Sequence, residues 1–152
     1  KVANMSRVLI VEARFYEDIA DELAKGAIQR LDEVGAEWDR ISVPGALEIP
    51  AAIGFASRAA KHGGVEYDGF IALGCVIRGE TTHYDYVCSE SARGLQDLAV
   101  REGVALGNGI LTVENGDQAW ARASIDKGKN KGRDVADACL AMISIKHRFG
   151  HQ

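Results

Sequence analysis

The sequence predicts an α/β fold: a three-layer sandwich around a four-stranded parallel sheet, of the flavodoxin-like type. Two observations carry that expectation. Strand-like and helix-like segments alternate from one end of the chain to the other. The strand-like segments are near-continuous apolar runs, as in a parallel sheet covered on both faces, rather than the half-polar strands of an antiparallel one. The length, 152 residues, suits one domain, taken as 1–152.

Each element follows from a local pattern. RVLIVEA, Arg7–Ala13, is apolar and β-branched and reads as a buried strand. Residues 18–34 place Ile19, Leu23, Ala27 and Leu31 four apart, one face of a helix, with Gly35 as its stop. WDRISV, 38–43, alternates and reads as a second strand, closed by Pro44 and Gly45. Residues 47–61 are alanine-rich and predict a helix ending at His62-Gly63-Gly64. DGFIALGCVI, 68–77, is the third strand; residues 84–102 form a helix stopped by Gly103; NGILTV, 108–113, is the fourth strand. A short helix over 118–125, a loop DKGKNKGR at 126–133 and a last helix over 134–148 complete the chain. There is no linker, internal repeat or low-complexity segment.

Composition narrows the function. The chain is 47% hydrophobic and 26% charged, the mix of an ordinary water-soluble domain. A net charge of −4 argues against a nucleic-acid partner, which wants a basic face. Its apolar runs fall short of the roughly 18 residues of a membrane span, so no membrane association is expected. KVANMSRVLIVEA lacks a signal-peptide layout, and Met5 fits a natural start with residues 1–4 added upstream. Cys75, Cys88 and Cys139 are scattered, without a CxxC pair. That suits reduced thiols and a cytoplasmic location better than a disulfide framework or a zinc site.

Parallel sheets bind ligands beyond the carboxyl ends of their strands. This rule gathers four loops: 13–16, 44–48, 78–83 and 113–115. In the third, Gly79 feeds a helix start whose free N–H groups favour an anion, and Thr81 and Thr82 add hydroxyls, a plausible phosphate seat. The competing reading is that either threonine only caps the helix. His83 stands in the first turn of that helix, where the positive dipole end favours a neutral imidazole able to move a proton; a hydrogen-bonded structural histidine is the alternative. No serine or cysteine elbow accompanies it, which argues against a nucleophilic triad. No second histidine stands at metal-ligand spacing, His147 and His151 lying at the tail, so no metal is expected. Glu48 at a helix start either complements the dipole or accepts from a polyhydroxylated ligand. Phe15 fits a core position or a stacking platform. Arg122 fits a solvated helix face, and the run 127–132 either a plain loop or a second anion contact.

With those pieces placed, the chain resembles the lumazine synthases of riboflavin biosynthesis over nearly its whole length. The resemblance rests on ARF at 13–15, VPGALEIP at 43–50, LGCVIRGETTHYDYVC at 73–88, GILTVEN at 109–115 and NKG at 130–132. It implies that 5-amino-6-(D-ribitylamino)uracil condenses with 3,4-dihydroxy-2-butanone 4-phosphate to give 6,7-dimethyl-8-ribityllumazine, phosphate and water, with no cofactor. The substrate amine attacks the ketone, so the protein supplies no nucleophile. The same resemblance implies that Phe15 stacks on the pyrimidine ring. Ala46, Leu47 and Glu48 would hold the ribityl chain and ring edge, while Cys75, Val76 and Ile77 line the ring through their backbone. Glu80 and Thr81 would bind the phosphate, Arg122 neutralise it, His83 shuttle protons and Lys131 lie near the ligand.

The resemblance further implies ring-shaped homopentamers with active sites shared between neighbouring subunits. Where family members commonly have Phe, this chain has Asn108, reaching into the neighbour's pocket. Capsid-forming members carry a short loop, AGTKAGNKG; here residues 123–132 read ASIDKGKNKG, one residue longer. A longer loop should swing the preceding backbone outward, which predicts a pentamer, alone or paired into a decamer, rather than a capsid. Two other classes compete. One is a lumazine- or flavin-binding protein that has lost catalysis, opposed by His83 and Arg122. The other is a flavodoxin-like electron carrier, opposed by a first loop, Ala13-Arg14-Phe15-Tyr16, that lacks the Ser/Thr phosphate seat such carriers use.

Overall fold

The computed structural model describes residues 6–150. Met5, residues 1–4 and His151 therefore lie outside the described part. The chain runs β1 (Arg7–Ala13), α1 (Glu17–Glu33), β2 (Glu37–Val43), α2 (Ile49–Ala59), β3 (Gly69–Ile77), α3 (His83–Glu102), β4 (Leu106–Val113), α4 (Gly116–Ala123) and α5 (Lys131–Arg148). All strand pairs are parallel, in the order β2-β1-β3-β4. The fold class is the predicted one.

Strand alternation divides the apolar residues between two cores. Val8 and Ile10 face one way and pack with Leu23, Leu31, Ile71, Leu73, Leu111, Val135 and Ile143 under α1, α4 and α5. Leu9 and Val11 face the other way and pack with Ile49, Ile53, Phe70, Leu95 and Leu98 under α2 and α3. Gly35 (φ 74°) and Gly103 (φ 67°) end α1 and α3 in the left-handed region, the stops the sequence predicts.

Several boundaries differ from expectation. The helix expected over 47–61 is three pieces: a 3₁₀ turn at Ala46–Glu48, α2, and a second 3₁₀ turn at Ala60–His62. Pro50 explains the first break: lacking an N–H and with φ fixed, it sits in the opening turn of α2 and cannot lie deeper in a helix. α4 ends at Ala123 rather than 125, because Ser124 turns to ψ 128°. α5 begins at Lys131 rather than 134. Asn130 adopts the left-handed region (φ 48°), and its side-chain oxygen accepts from the Arg133 N–H at 3.4 Å, capping the helix earlier than a Gly-rich loop suggests. Lys131 thus stands on a helix, not in a loop.

Close approach, not chain direction, explains Gly132. A Cβ there would overlap the Leu23 carbonyl oxygen and lie 3.1 Å from the Ala27 nitrogen, both backbone atoms of α1. The bare glycine lets α5 cross α1 at backbone contact.

Candidate active site

The strand order places a topological switch between β1 and β3. After β1 the chain moves outward to β2, then returns to the other side. The loops leaving the two neighbouring carboxyl ends diverge there and leave a crevice. A cleft of about 420 Å³ occupies that place, lined by Ala13, Phe15, Tyr16, Pro44, Gly45, Ala46, Leu47, Glu48, Cys75, Val76, Ile77, His83 and Val87.

Local structure fixes each wall. Phe15 sits in the turn between β1 and α1, 76% exposed, with its ring edge-on to Tyr16 at 4.8 Å. An aromatic left in water beside a cleft is available to a flat ligand. Ala46, Leu47 and Glu48 form the 3₁₀ turn after β2, closed by the Glu48 N–H donating to the Gly45 carbonyl at 3.1 Å. Cys75, Val76 and Ile77 are the half-buried last residues of β3. Burial pushes the Cys75 thiol up to about 11, so it is protonated near neutral pH and no nucleophile. His83 is the first residue of α3 and is exposed at the rim. Its backbone N–H donates to the Thr81 hydroxyl at 3.3 Å, whereas Thr82, at the cap position, makes no side-chain cap.

The neighbouring loops are tied together. The Arg78 Nε donates to both carboxylate oxygens of Glu114, at 2.9 and 3.1 Å, and its guanidinium lies 4.3 Å from the Tyr84 ring centre. Such a charge-assisted, stacked contact holds the loop after β3 against the loop after β4.

Eight of the sequence-predicted residues therefore meet in one cleft: Phe15, Ala46, Leu47, Glu48, Cys75, Val76, Ile77 and His83. Glu80 and Thr81 lie exposed on the loop beside it. Asn108, Arg122 and Lys131 do not line it. Asn108 is exposed on the edge strand β4, its side-chain oxygen accepting from the Ile110 N–H at 3.0 Å. Arg122, on α4, donates to the Gln118 carbonyl of its own helix at 2.9 Å and has no carboxylate partner among the described residues. Val87, which sequence reasoning missed, lines the cleft one helical turn beyond His83; that spacing of four was the available signal. Among the described residues there is no group of His, Cys, Asp and Glu fit to hold a metal.

A parallel α/β sheet with an aromatic-walled cleft at its switch point is the arrangement by which such domains take small-molecule ligands. Comparison with known proteins narrows this to one family. The family profile of 6,7-dimethyl-8-ribityllumazine synthase matches residues 5–147. The chain is 62% identical to 6,7-dimethyl-8-ribityllumazine synthase 1 of Rhizobium meliloti (strain 1021) over 143 residues, 94% of this chain and 93% of that protein. It is 59% identical to the 6,7-dimethyl-8-ribityllumazine synthase of Agrobacterium fabrum (strain C58 / ATCC 33970), over 94% of this chain and 96% of that one. It is 58% identical to the enzyme of the same name from Bartonella tribocorum (strain CIP 105476 / IBS 506), over 94% and 91%. The chain belongs to the 6,7-dimethyl-8-ribityllumazine synthase family.

Proposed function

We infer that this chain catalyses the lumazine synthase reaction, condensing 5-amino-6-(D-ribitylamino)uracil with 3,4-dihydroxy-2-butanone 4-phosphate to 6,7-dimethyl-8-ribityllumazine. It acts as a transferase, on small-molecule substrates, with one domain over 1–152 carrying the activity. The observation that carries this reading is the cleft, where Phe15, the 3₁₀ turn with Glu48, the end of β3 and His83 converge.

The chemistry suits those residues. The 5-amino group attacks the ketone to give a Schiff base and water; phosphate then leaves, and the ribityl-bearing nitrogen closes the ring with loss of a second water. The nucleophile comes from the substrate, in keeping with a protonated Cys75. The protein holds two reactants together, worth up to ~7–11 kcal/mol of the barrier. His83 at the rim moves protons, worth roughly 10²–10⁴-fold. Phe15 stacks on the pyrimidine, Ala46, Leu47 and Glu48 hold the ribityl chain, and the backbone of Cys75, Val76 and Ile77 lines the ring. Glu80 and Thr81 seat the phosphate. Mixing the two substrates with the protein should produce lumazine absorbance and fluorescence; a purified chain that is already yellow and yields no lumazine would favour a flavin carrier instead.

Arg122 is the proposed counter-ion of the phosphate, a role open to a guanidinium without a carboxylate partner. Arg122→Ala should raise KM for the phosphorylated ketone by roughly 10–100-fold, the value of a charge-assisted contact, and KM for the pyrimidine far less. Equal effects on both would move Arg122 out of the phosphate site.

The proposed assembly is a homopentamer, alone or paired into a decamer. A shared site gives work to Asn108 and Lys131, which stand off their own cleft. The loop between α4 and α5 bends back on α4: the Lys129 N–H donates to the Ala121 carbonyl at 2.9 Å and Asn130 N–H to the Ser124 carbonyl at 3.1 Å. It presents Ile125 and Asp126 where capsid-forming members have Thr-Lys. Native mass spectrometry should find five or ten subunits. Sixty would sink the loop argument, and an active monomer the shared site. The three cysteines are free thiols, and no helix among the described residues is long and apolar enough to cross a membrane. The cytoplasm is the proposed location.

A further inference from the structure

One buried charge has no part in the reaction above. On the α1-facing side of β1 the sequence runs Val8, Ile10, Glu12. The first two are core residues, and Glu12, at 1% exposure, is as buried as they are. A carboxylate in that position is expensive unless fully paired, and a third aliphatic residue would fill the same space more cheaply. Glu12 is paired with two guanidinium groups. Its Oε1 accepts from Arg14 Nη1 at 2.8 Å and from Arg40 Nη2 at 3.2 Å, and its Oε2 accepts from Arg40 Nε. Arg14 reaches on to α1, where its Nη2 donates to Asp21 Oδ1 at 2.6 Å. Arg14 therefore bridges the end of β1 to the first turns of α1, across the turn that carries Phe15.

On the far side of that turn Tyr16 packs against the core; on the near side Arg14 is the polar tie. No side-chain cap closes the start of α1, since Tyr16 at the cap position makes none. Phe15 is three-quarters exposed, against the edge of one neighbouring ring. Its direction is set by its backbone, and the residue before it is the one pinned at both ends. We propose that Glu12 and Asp21, acting through Arg14, are positioning residues for Phe15 and so set affinity for the ring-bearing substrate, without touching either substrate. The proposal rests on the reading of Phe15 as the stacking residue given above.

The test is a double-mutant cycle on Arg14→Met and Phe15→Ala, with KM measured for each substrate and kcat beside it. Arg14→Met should raise KM for the pyrimidine roughly 5–20-fold, and change KM for the ketone phosphate and kcat by less than about twofold. In the Phe15→Ala background the same change should add almost nothing, because no ring remains to aim. A merely structural role would lower the melting temperature and leave this split absent. Additive effects, or equal rises for both substrates, would overturn the proposal. If Phe15→Ala itself leaves pyrimidine KM unchanged, the stacking reading falls and takes the proposal with it. If Phe15→Ala raises it and Arg14→Met does not, the proposal alone falls. Should Arg14→Met fail to fold, Asp21→Asn decides. Its side chain is 61% exposed, so the fold should tolerate the change. Pyrimidine KM should rise roughly 2–5-fold with the same split, and no rise would overturn the proposal.

Discussion

His83→Ala is expected to lower kcat by roughly 10²–10⁴-fold while KM for the pyrimidine stays within about twofold. The fold should survive the change. His83 is exposed at the first position of α3, and it is its backbone N–H, not its ring, that donates to the Thr81 hydroxyl. The kinetic loss therefore reports chemistry rather than unfolding. It is bounded above because the remaining cleft still holds the two substrates together, and proximity does not depend on the imidazole. Steady-state kinetics with each substrate varied in turn would check this. A loss beyond about 10⁴-fold would contradict a proton shuttle. A rise in both KM values with kcat unchanged would make His83 a binding residue.

Gly132→Ala should destabilise the fold by about 1–3 kcal/mol, although alanine is the better helix former by ~1 kcal/mol. The new methyl would overlap the Leu23 carbonyl and press on the Ala27 nitrogen, and neither can swing aside as a side chain would. α1 and α5 would have to part along a contact between two buried faces. For a chain of this size the melting temperature should fall by roughly 3–12 °C. Gly132→Val adds bulk at the same crossing and should leave little folded protein. Calorimetry on the alanine variant decides; an unchanged or raised melting temperature would mean that the crossing is looser than it stands here.

The sheet and its layers were legible because burial on both faces writes itself as unbroken apolar runs, as in VLIV of β1 and FIALGCVI of β3. The cleft was legible for a related reason: the loops that follow parallel strands gather at one end of the sheet, so Phe15, Glu48 and His83 could be brought together from sequence position, whereas Cys75, inside β3, came only from the family resemblance. Boundaries set by single backbone conformations were not. Asn130 capping α5 from the left-handed region looks in sequence like one more polar loop residue, which is why Lys131 was expected off the helix. The pairing of Glu12 was hidden by distance. Its partner Arg40 is 28 positions away on β2, and only the register, with Glu12 opposite Ser42 and Ile10 opposite Arg40, brings the two together. Arg122, Asn108 and Lys131 stand apart from the cleft of their own chain, and sequence spacing says nothing of a second copy.

The crossing of α1 by α5 also bears on the order in which the chain can fold. β1 and α1 are made before the other elements of this sheet, and β2 can join them as soon as it is synthesised, since β1 lies between β2 and β3. The other side of α1 must wait. Its contacts come from α5 and the loop before it: Ile125 N–H donating to the Glu22 carboxylate at 3.0 Å joins residues 103 positions apart. Until α5 is made, Leu23, Ala27 and Leu31 pack only against the strands beneath α1, and β3 and β4 lack much of their cover on the same face. Closing so long a loop is slow compared with forming a helix. The nascent chain must therefore carry an exposed apolar face until α5 is made, with every strand of the sheet already in place before the helix that seals it.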